Sequence, residues 1–230
     1  MTGETSKVWR VFPDSETLAT QLSQAILAEA QSCIEQRGRF MLVLAGGSTP
    51  QLVYTKLAQA KTDWSRWHVW FGDERCYPFG HPERNDTMAR DALLHRVPIP
   101  QANVHPISSA GWGPEAAARR YAEVLPKNVF DLTLLGLGED GHTASLFPGN
   151  DWGENKQSPG VLPVRNAPKL PVDRVSLSAD RLSQSRKVIV IVTGAVKAAA
   201  VARWKKGEAI PVSAIHAPVM EVWLDQAAAG

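Results

Sequence analysis

Asp140 and His142 stand two residues apart in a glycine-rich stretch, and this pairing is the clearest mark of chemistry in the chain. From Leu132 the sequence reads Leu-Thr-Leu-Leu-Gly-Leu-Gly-Glu-Asp-Gly-His-Thr-Ala-Ser-Leu-Phe-Pro148. Phe130 to Leu135 is almost continuously apolar and predicts a buried strand. Gly136, Gly138 and Gly141 then break it and deliver Asp140 and His142 to a loop. Open α/β sheets bind ligands in such loops, at the carboxyl ends of central strands. Histidine is the side chain best suited to proton transfer near neutral pH, and Asp140 is placed to hold its ring. Acid–base chemistry on a small molecule is the expectation.

Three further segments offer groups for an anionic ligand. Ala45-Gly46-Gly47-Ser48-Thr49-Pro50 follows the apolar run Phe40 to Leu44, and Pro50 suits the first turn of a helix. Glycines let the backbone approach a ligand, and a helix N-terminus supplies N–H groups and partial positive charge suited to phosphate. Ser48 and Thr49 add hydroxyl donors. The same residues also fit a tight turn with a Ser/Thr cap. The Gly-Lys-Ser/Thr ending of a P-loop is missing. Gly72-Asp73-Glu74-Arg75 follows Trp67 to Phe71 directly, which places it on the same sheet edge. Arg75 suits a carboxylate, a phosphate or a developing oxyanion, with Asp73 and Glu74 to orient it; a structural ion pair closing the loop would use the same residues. Asn85 either lines this cleft or caps the next helix. Lys197 follows Thr193-Gly194 on the first turn of a late helix, and Arg174 sits just before a strand. Each either reaches the carboxyl edge of the sheet or stays solvated. The other histidines, at 68, 81, 95, 105 and 216, have no partner motif. No spacing suggests a metal site, a dinucleotide fingerprint or a serine triad around Ser48 or Ser145.

The elements that must position these groups alternate. Strands are expected at Val8–Phe12, Phe40–Leu44, Trp67–Phe71, Val104–Ile107, Phe130–Leu135, Val175–Leu177, Val188–Val192 and Val219–Leu224. A helix capped by Asp14 or Ser15 runs to about Arg37, with Gly38 as its stop; Leu18, Leu22, Ala25, Ile26, Ala30 and Cys33 share one face. Further helices are expected after Pro50, from Asn85 to about His95, from Pro114 to about Leu125, and from Gly194 to about Trp204. A long polar loop is expected from Phe71 to Arg84. The Pro-, Asn-, Gly- and Lys-rich stretch 150–174 reads as an excursion or lid. The pattern implies an α/β fold: a three-layer αβα sandwich around a mostly parallel, Rossmann-like sheet, as a single domain over residues 1–230.

Composition narrows the function class. A formal charge of +2 and no basic run of five or more argue against nonspecific nucleic-acid binding. The N-terminus has no apolar signal core, and no segment approaches the ~18 apolar residues of a membrane span. Cys33 and Cys76 form neither a disulfide framework nor a metal spacing, so a reducing cytoplasm is the default. The eight tryptophans are scattered and read as packing residues.

The segment from Gly136 to Pro148 resembles the signature of the 6-phosphogluconolactonases. Leu44-Ala-Gly-Gly-Ser-Thr-Pro50, Phe71-Gly-Asp-Glu-Arg-Cys-Tyr-Pro78 and Thr193-Gly-Ala-Val-Lys-Ala198 resemble the same family in the same order. The likeness spans roughly residues 7 to 225. It implies hydrolysis of 6-phospho-D-glucono-1,5-lactone to 6-phosphogluconate in the oxidative pentose phosphate route, without a cofactor. It implies His142 as general base, with Asp140 and Arg75 completing the catalytic group. Gly46, Gly47, Ser48, Thr49, Asp73, Asn85, Arg174 and Lys197 are then the expected substrate-binding residues, with Lys197 on the sugar phosphate. The expected partner is the substrate alone, in a monomer or small homo-oligomer, with no nucleic acid and no membrane. Relatives that isomerise and deaminate glucosamine 6-phosphate carry a glutamate near Phe147, where this chain has none. The rival readings are such an isomerase or deaminase, and a non-catalytic sugar-phosphate-sensing module.

Overall fold

The apolar runs pair into one sheet because the central ones are too hydrophobic to leave either face in water. A computed structural model describes residues 7–109, 111 and 113–230; the leader reading concerns residues 1–6, which lie outside them. Strands β1 (Lys7–Phe12), β2 (Phe40–Leu44), β3 (Trp67–Phe71), β5 (Val104–His105), β6 (Phe130–Gly136), β9 (Ser185–Val192) and β10 (Val219–Asp225) form a seven-stranded sheet. Its order is β1-β10-β9-β6-β2-β3-β5, and every pairing is parallel. Every residue of β2 is buried, as a strand covered on both faces requires.

Helices flank the sheet: α1 (Ser15–Arg37), α2 (Ser48–Leu57), α3 (Asn85–Ala89), α4 (Gly113–Val124), α5 (Ala179–Ser183), α6 (Ala198–Lys205) and α7 (Gln226–Ala229). The Asp14 side chain caps α1 by accepting from the Thr17 N–H at 2.7 Å, and Gly38 ends it at φ 74°, in the left-handed region glycine tolerates. Leu18, Leu22, Ile26, Ala30 and Cys33 bury the inner face of α1, and α1 packs against α2. No helix among the described residues is long and apolar enough to cross a membrane.

A second sheet departs from the sequence reading. β4 (Asp73–Arg75), β7 (Val161–Val164) and β8 (Arg174–Leu177) form an antiparallel sheet in the order β4-β8-β7. The expected loop after Phe71 therefore begins as a strand, and the Val175–Leu177 run belongs to this small sheet rather than the main one. The 150–174 excursion supplies β7. β4 finds its partner β8 about 100 residues later, and β7, a four-residue strand with Pro163 in it, has no clear alternation, so local periodicity does not reveal them. The small sheet is tied to the main one at Gly72: its N–H donates to the Leu44 carbonyl at 3.0 Å, and its carbonyl accepts from Leu177 N–H at 2.8 Å.

Smaller corrections have local causes. β5 stops at His105 because Pro106 has no N–H for the ladder. The helix from Asn85 widens into a π turn over Arg90–Leu94, where His95 N–H reaches back to the Arg90 carbonyl at 3.0 Å. Asn85 is not a cap: Arg84 holds that position and Asn85 is the first helical residue. Gly194 leads into a 3-10 turn, Ala195–Lys197, before α6 begins.

Candidate active site

Two tyrosines open the sheet where the site lies. Tyr54 of α2 accepts from Ala45 N–H at 3.0 Å and donates to Ala45 C=O at 2.8 Å. Tyr121 of α4 does the same at Phe71, at 2.8 and 2.9 Å. Both strands thus end with their backbone satisfied, and the chains beyond are free to diverge. β2 and β6 are neighbours, but the chain proceeds from β2 to β3 and β5 on one side and from β6 to β9 and β10 on the other. This is a topological switch point, the place where open sheets form a crevice. Loops after β2 and β6, the turn after β9 and the small sheet enclose a cavity of about 580 Å³ there.

The loop after β6 is shaped around His142. Gly138 N–H donates to the His142 carbonyl at 2.7 Å, and Gly141 N–H to the Gly138 carbonyl at 3.0 Å. A Cβ on Gly138 would sit 2.0 Å from His142 Nδ1, so only glycine fits. Asp140 Oδ1 lies 2.5 Å from His142 Nδ1 and also accepts the His142 backbone N–H at 3.1 Å. Burial alone would raise the Asp140 carboxyl, but hydrogen bonds from the His142 backbone and ring outweigh it and hold the group below its ordinary value. The ionised carboxylate only accepts, so in the neutral ring the proton sits on Nδ1 and the lone pair on Nε2. His142 lines the cavity; Asp140 stands behind it. The Phe147 ring packs against the imidazole, with centroids 4.8 Å apart.

The wall opposite is a buried polar network. Asp73 accepts from Ser145 Oγ at 2.6 Å and from Asn85 Nδ2 at 3.1 Å. Asn85 lies so close to Gly46 that a Cβ there would meet Asn85 Oδ1 at 2.0 Å. Glu74 does not orient the Arg75 guanidinium. It is fully buried and acts as the missing cap of α3, accepting the N–H groups of Asn85 and Asp86, each at 2.8 Å. Burial pushes its carboxyl up, and the buried Arg84 guanidinium, 3.5 Å away, pulls against that. Arg84 also bonds Asp86 at 2.6 Å, the carbonyls of Tyr77 and Ile107, and Ser109. The ion pair that closes this loop is therefore Glu74–Arg84, not one made by Arg75.

Four cations line the cavity: Arg75, Lys169, Arg174 and Lys197, against the carboxylates of Asp73 and Glu83. Arg75 donates through Nη1 to the Glu83 carbonyl, while its Nε has no partner among the described residues. Arg174 donates to the carbonyls of Lys169, Leu170 and Pro171. Lys197 Nζ is 3.7 Å from Glu139. Of the residues singled out in the sequence, Gly46, Gly47, Asp73, Arg75, Asn85, His142, Arg174 and Lys197 line the cavity. Ser48 and Thr49 do not: Ser48 is exposed, and Thr49 Oγ1 pairs with Thr193 Oγ1 at 2.6 Å, tying the start of α2 to the end of β9.

Residues 13–223 match the family model described as glucosamine-6-phosphate isomerases/6-phosphogluconolactonase. The chain belongs to this family. Among curated relatives it is 38% identical to the 6-phosphogluconolactonase of Mycobacterium leprae over 206 residues, covering 84% of this chain and 83% of that protein. It is 36% identical to the Rattus norvegicus 6-phosphogluconolactonase, covering 95% and 91%. The solved structure of Thermotoga maritima 6-phosphogluconolactonase superposes with a TM-score of 0.88 at 27% identity, covering 96% of this chain and all of that one.

Within this isomerase/lactonase family member, sequence reasoning missed Glu83, Lys169 and Leu170, all of which line the cavity. It also missed Arg84, which holds the cavity wall from behind. Lys169 and Glu83 sit in proline-bearing loops without periodicity, and a charge in such a loop reads as solvated. Arg84 carries a sequence signal only in hindsight: an arginine just before a helix, two residues before an aspartate and ten after a glutamate.

Proposed function

We propose that this chain is a hydrolase that opens 6-phospho-D-glucono-1,5-lactone to 6-phospho-D-gluconate, the lactone-hydrolysis step of the pentose phosphate pathway. The observation that carries the reading is the Asp140–His142 pair, whose imidazole lines a cation-lined cavity at the switch point of a sheet shared with the lactonases. Nε2 takes a proton from water as the water oxygen attacks the lactone carbonyl carbon. Arg75 stabilises the oxyanion that forms. Collapse of the tetrahedral intermediate breaks the bond from carbon to ring oxygen, and the imidazolium returns its proton to that oxygen. The new carboxylic acid then ionises, which releases one proton per turnover.

Remote binding of the phosphate orients the reacting carbon. Gly46, Gly47 and Lys197 are the groups assigned to that anchor. Asp73 and Asn85 are assigned to sugar hydroxyls, since their polar atoms form the opposite wall. The lactone is reactive enough that activated water and a stabilised oxyanion suffice. Cys33 and Cys76 are unpaired thiols, which supports a cytoplasmic location.

An isomerase or deaminase reading is not favoured. Proton transfer between sugar carbons needs an acid–base group beside the histidine, and Phe147 puts an apolar ring there. The test is proton release from freshly made 6-phosphogluconolactone, measured against the spontaneous rate. We expect strong acceleration by the protein, and no enzyme-dependent carbon-2 deuteration of glucosamine 6-phosphate in deuterated water. Deuterium uptake without faster lactone opening would overturn the assignment.

A further inference from the structure

A strap of three residues, Lys169-Leu170-Pro171, crosses the rim of the cavity and is anchored by a single side chain. Arg174 is 5% exposed, and it donates from Nη2 to the carbonyls of Lys169 at 3.0 Å and Leu170 at 3.3 Å, and from Nε to that of Pro171 at 3.2 Å. Its guanidinium lies over the Phe147 ring at 5.5 Å, and that ring packs on His142. The base of the strap is closed by Ala167 N–H donating to the Val172 carbonyl at 2.9 Å, and Ala167 packs with Phe147 and Val164. The curvature of the strap is thus fixed on the cavity side. It brings into the cavity lining one ammonium and one apolar side chain, Lys169 and Leu170, and Leu170 is 77% exposed.

The cations of the lining differ in what already engages them. Lys197 lies near the Glu139 carboxylate, Arg75 donates to the Glu83 backbone carbonyl, and Arg174 has two of its three nitrogens on the strap carbonyls. Lys169 alone of the four has neither an ion pair nor a hydrogen bond from its side chain among the described residues. Taken together the lining carries four cations against two carboxylates, an excess that matches a phosphate dianion.

We propose that Lys169 is a substrate-binding residue that reads the phosphate from the strap side, and that Arg174 is its positioning residue, acting through the three carbonyls. Leu170 closes over the apolar face of the sugar ring when the phosphate is engaged. This rests on the sugar-phosphate reading above, but its test does not depend on turnover.

The experiment is calorimetric binding of 6-phosphogluconate and of gluconate to wild type, K169M, R174K and the double variant, with hydrogen exchange over residues 166–172. R174K keeps the charge and removes the planar fork that spans three carbonyls. We expect K169M to weaken 6-phosphogluconate about tenfold or more, the loss typical of a charge-assisted contact, and to leave gluconate little changed. R174K should speed exchange across the strap, and adding K169M to it should weaken binding little further, because Lys169 is by then no longer held in place. K169M binding 6-phosphogluconate within about twofold of wild type, a difference under half a kcal/mol, would overturn the proposal. So would a double variant whose loss is the product of the two single losses. A wild type that binds 6-phosphogluconate but fails to open the lactone would remove the hydrolase reading and leave the strap to be judged by the same binding series.

Discussion

His142 shows how much one loop can settle about a single proton. Asp140 Oδ1 lies 2.5 Å from Nδ1, which favours the tautomer with the proton on Nδ1 and, in the mechanism proposed above, makes Nε2 the base. Two substitutions probe this from different directions. His142→Ala removes the base and should cut turnover by about 100-fold or more, the usual range for general-base assistance. Gly138→Ala leaves the base in the sequence but drives a methyl to 2.0 Å from Nδ1, so the ring must leave Asp140. It should therefore lose turnover in the same range while the protein stays folded by circular dichroism. Steady-state proton release on both variants checks this; a His142→Ala protein with more than half of wild-type turnover would take the histidine out of the mechanism. The catalytic pair was legible in the sequence because its geometry is local, two residues apart in one loop. Lys169 and Arg84 were not, because their roles arise only from partners brought in by the fold.

At the scale of elements, the buried Glu74–Arg84–Asp86 network decides whether the wall carrying Asp73, Arg75 and Asn85 keeps its shape. Arg84 is fully buried and supports Glu74, Asp86 and three backbone carbonyls at once. Arg84→Met fills much of the volume but leaves the fully buried Glu74 without its cation, while Asp86 keeps only Arg90 at 4.0 Å; breaking such a buried pair typically costs about 3–5 kcal/mol. Urea unfolding should show a midpoint lowered accordingly with an unchanged slope; a shift under about 1 kcal/mol, the scale of an exposed ion pair, would show the network to be dispensable. The same elements show where sequence reading succeeds. β2 and β3 match their expected bounds because each is a short apolar run ended by glycine. Helix α1 matches because Asp14 and Gly38 are both strong end signals. The strand β4 was hidden because its partner β8 lies about 100 residues away and a polar Asp-Glu-Arg triplet has no strand-like alternation; β7 was hidden because Pro163 interrupts a four-residue run, and β8 was misplaced because its apolar run reads like a main-sheet strand. Asn85 was misjudged as a cap because Glu74, eleven residues earlier, supplies the cap instead.

Over the whole molecule, the site is a joint at the switch point, where segments distant in the chain come together. The β2 loop and β3 side bring Gly46, Gly47, Asp73 and Asn85; the β6 and β9 side brings His142 and Lys197; the small sheet closes over them with Arg174 and Lys169. No one segment forms the cavity, so a phosphorylated ligand that touches all three ties them together in the native state alone. Ligand affinity must then appear as folding stability. At a free concentration about 100 times its Kd, 6-phosphogluconate should add about 2.7 kcal/mol to the free energy of unfolding. His142→Ala should show nearly the same gain, because the base acts on water rather than on the phosphate. Gluconate at the same concentration should give far less, since it lacks the group the four cations face. Thermal unfolding with each ligand at matched ionic strength makes the comparison, with salt controlled because surface charges are screened within about 8–10 Å. Equal stabilisation by gluconate and 6-phosphogluconate would mean that the cations of this cavity do not read the phosphate, and the anchoring assigned to Gly46, Gly47 and Lys197 would fall with it.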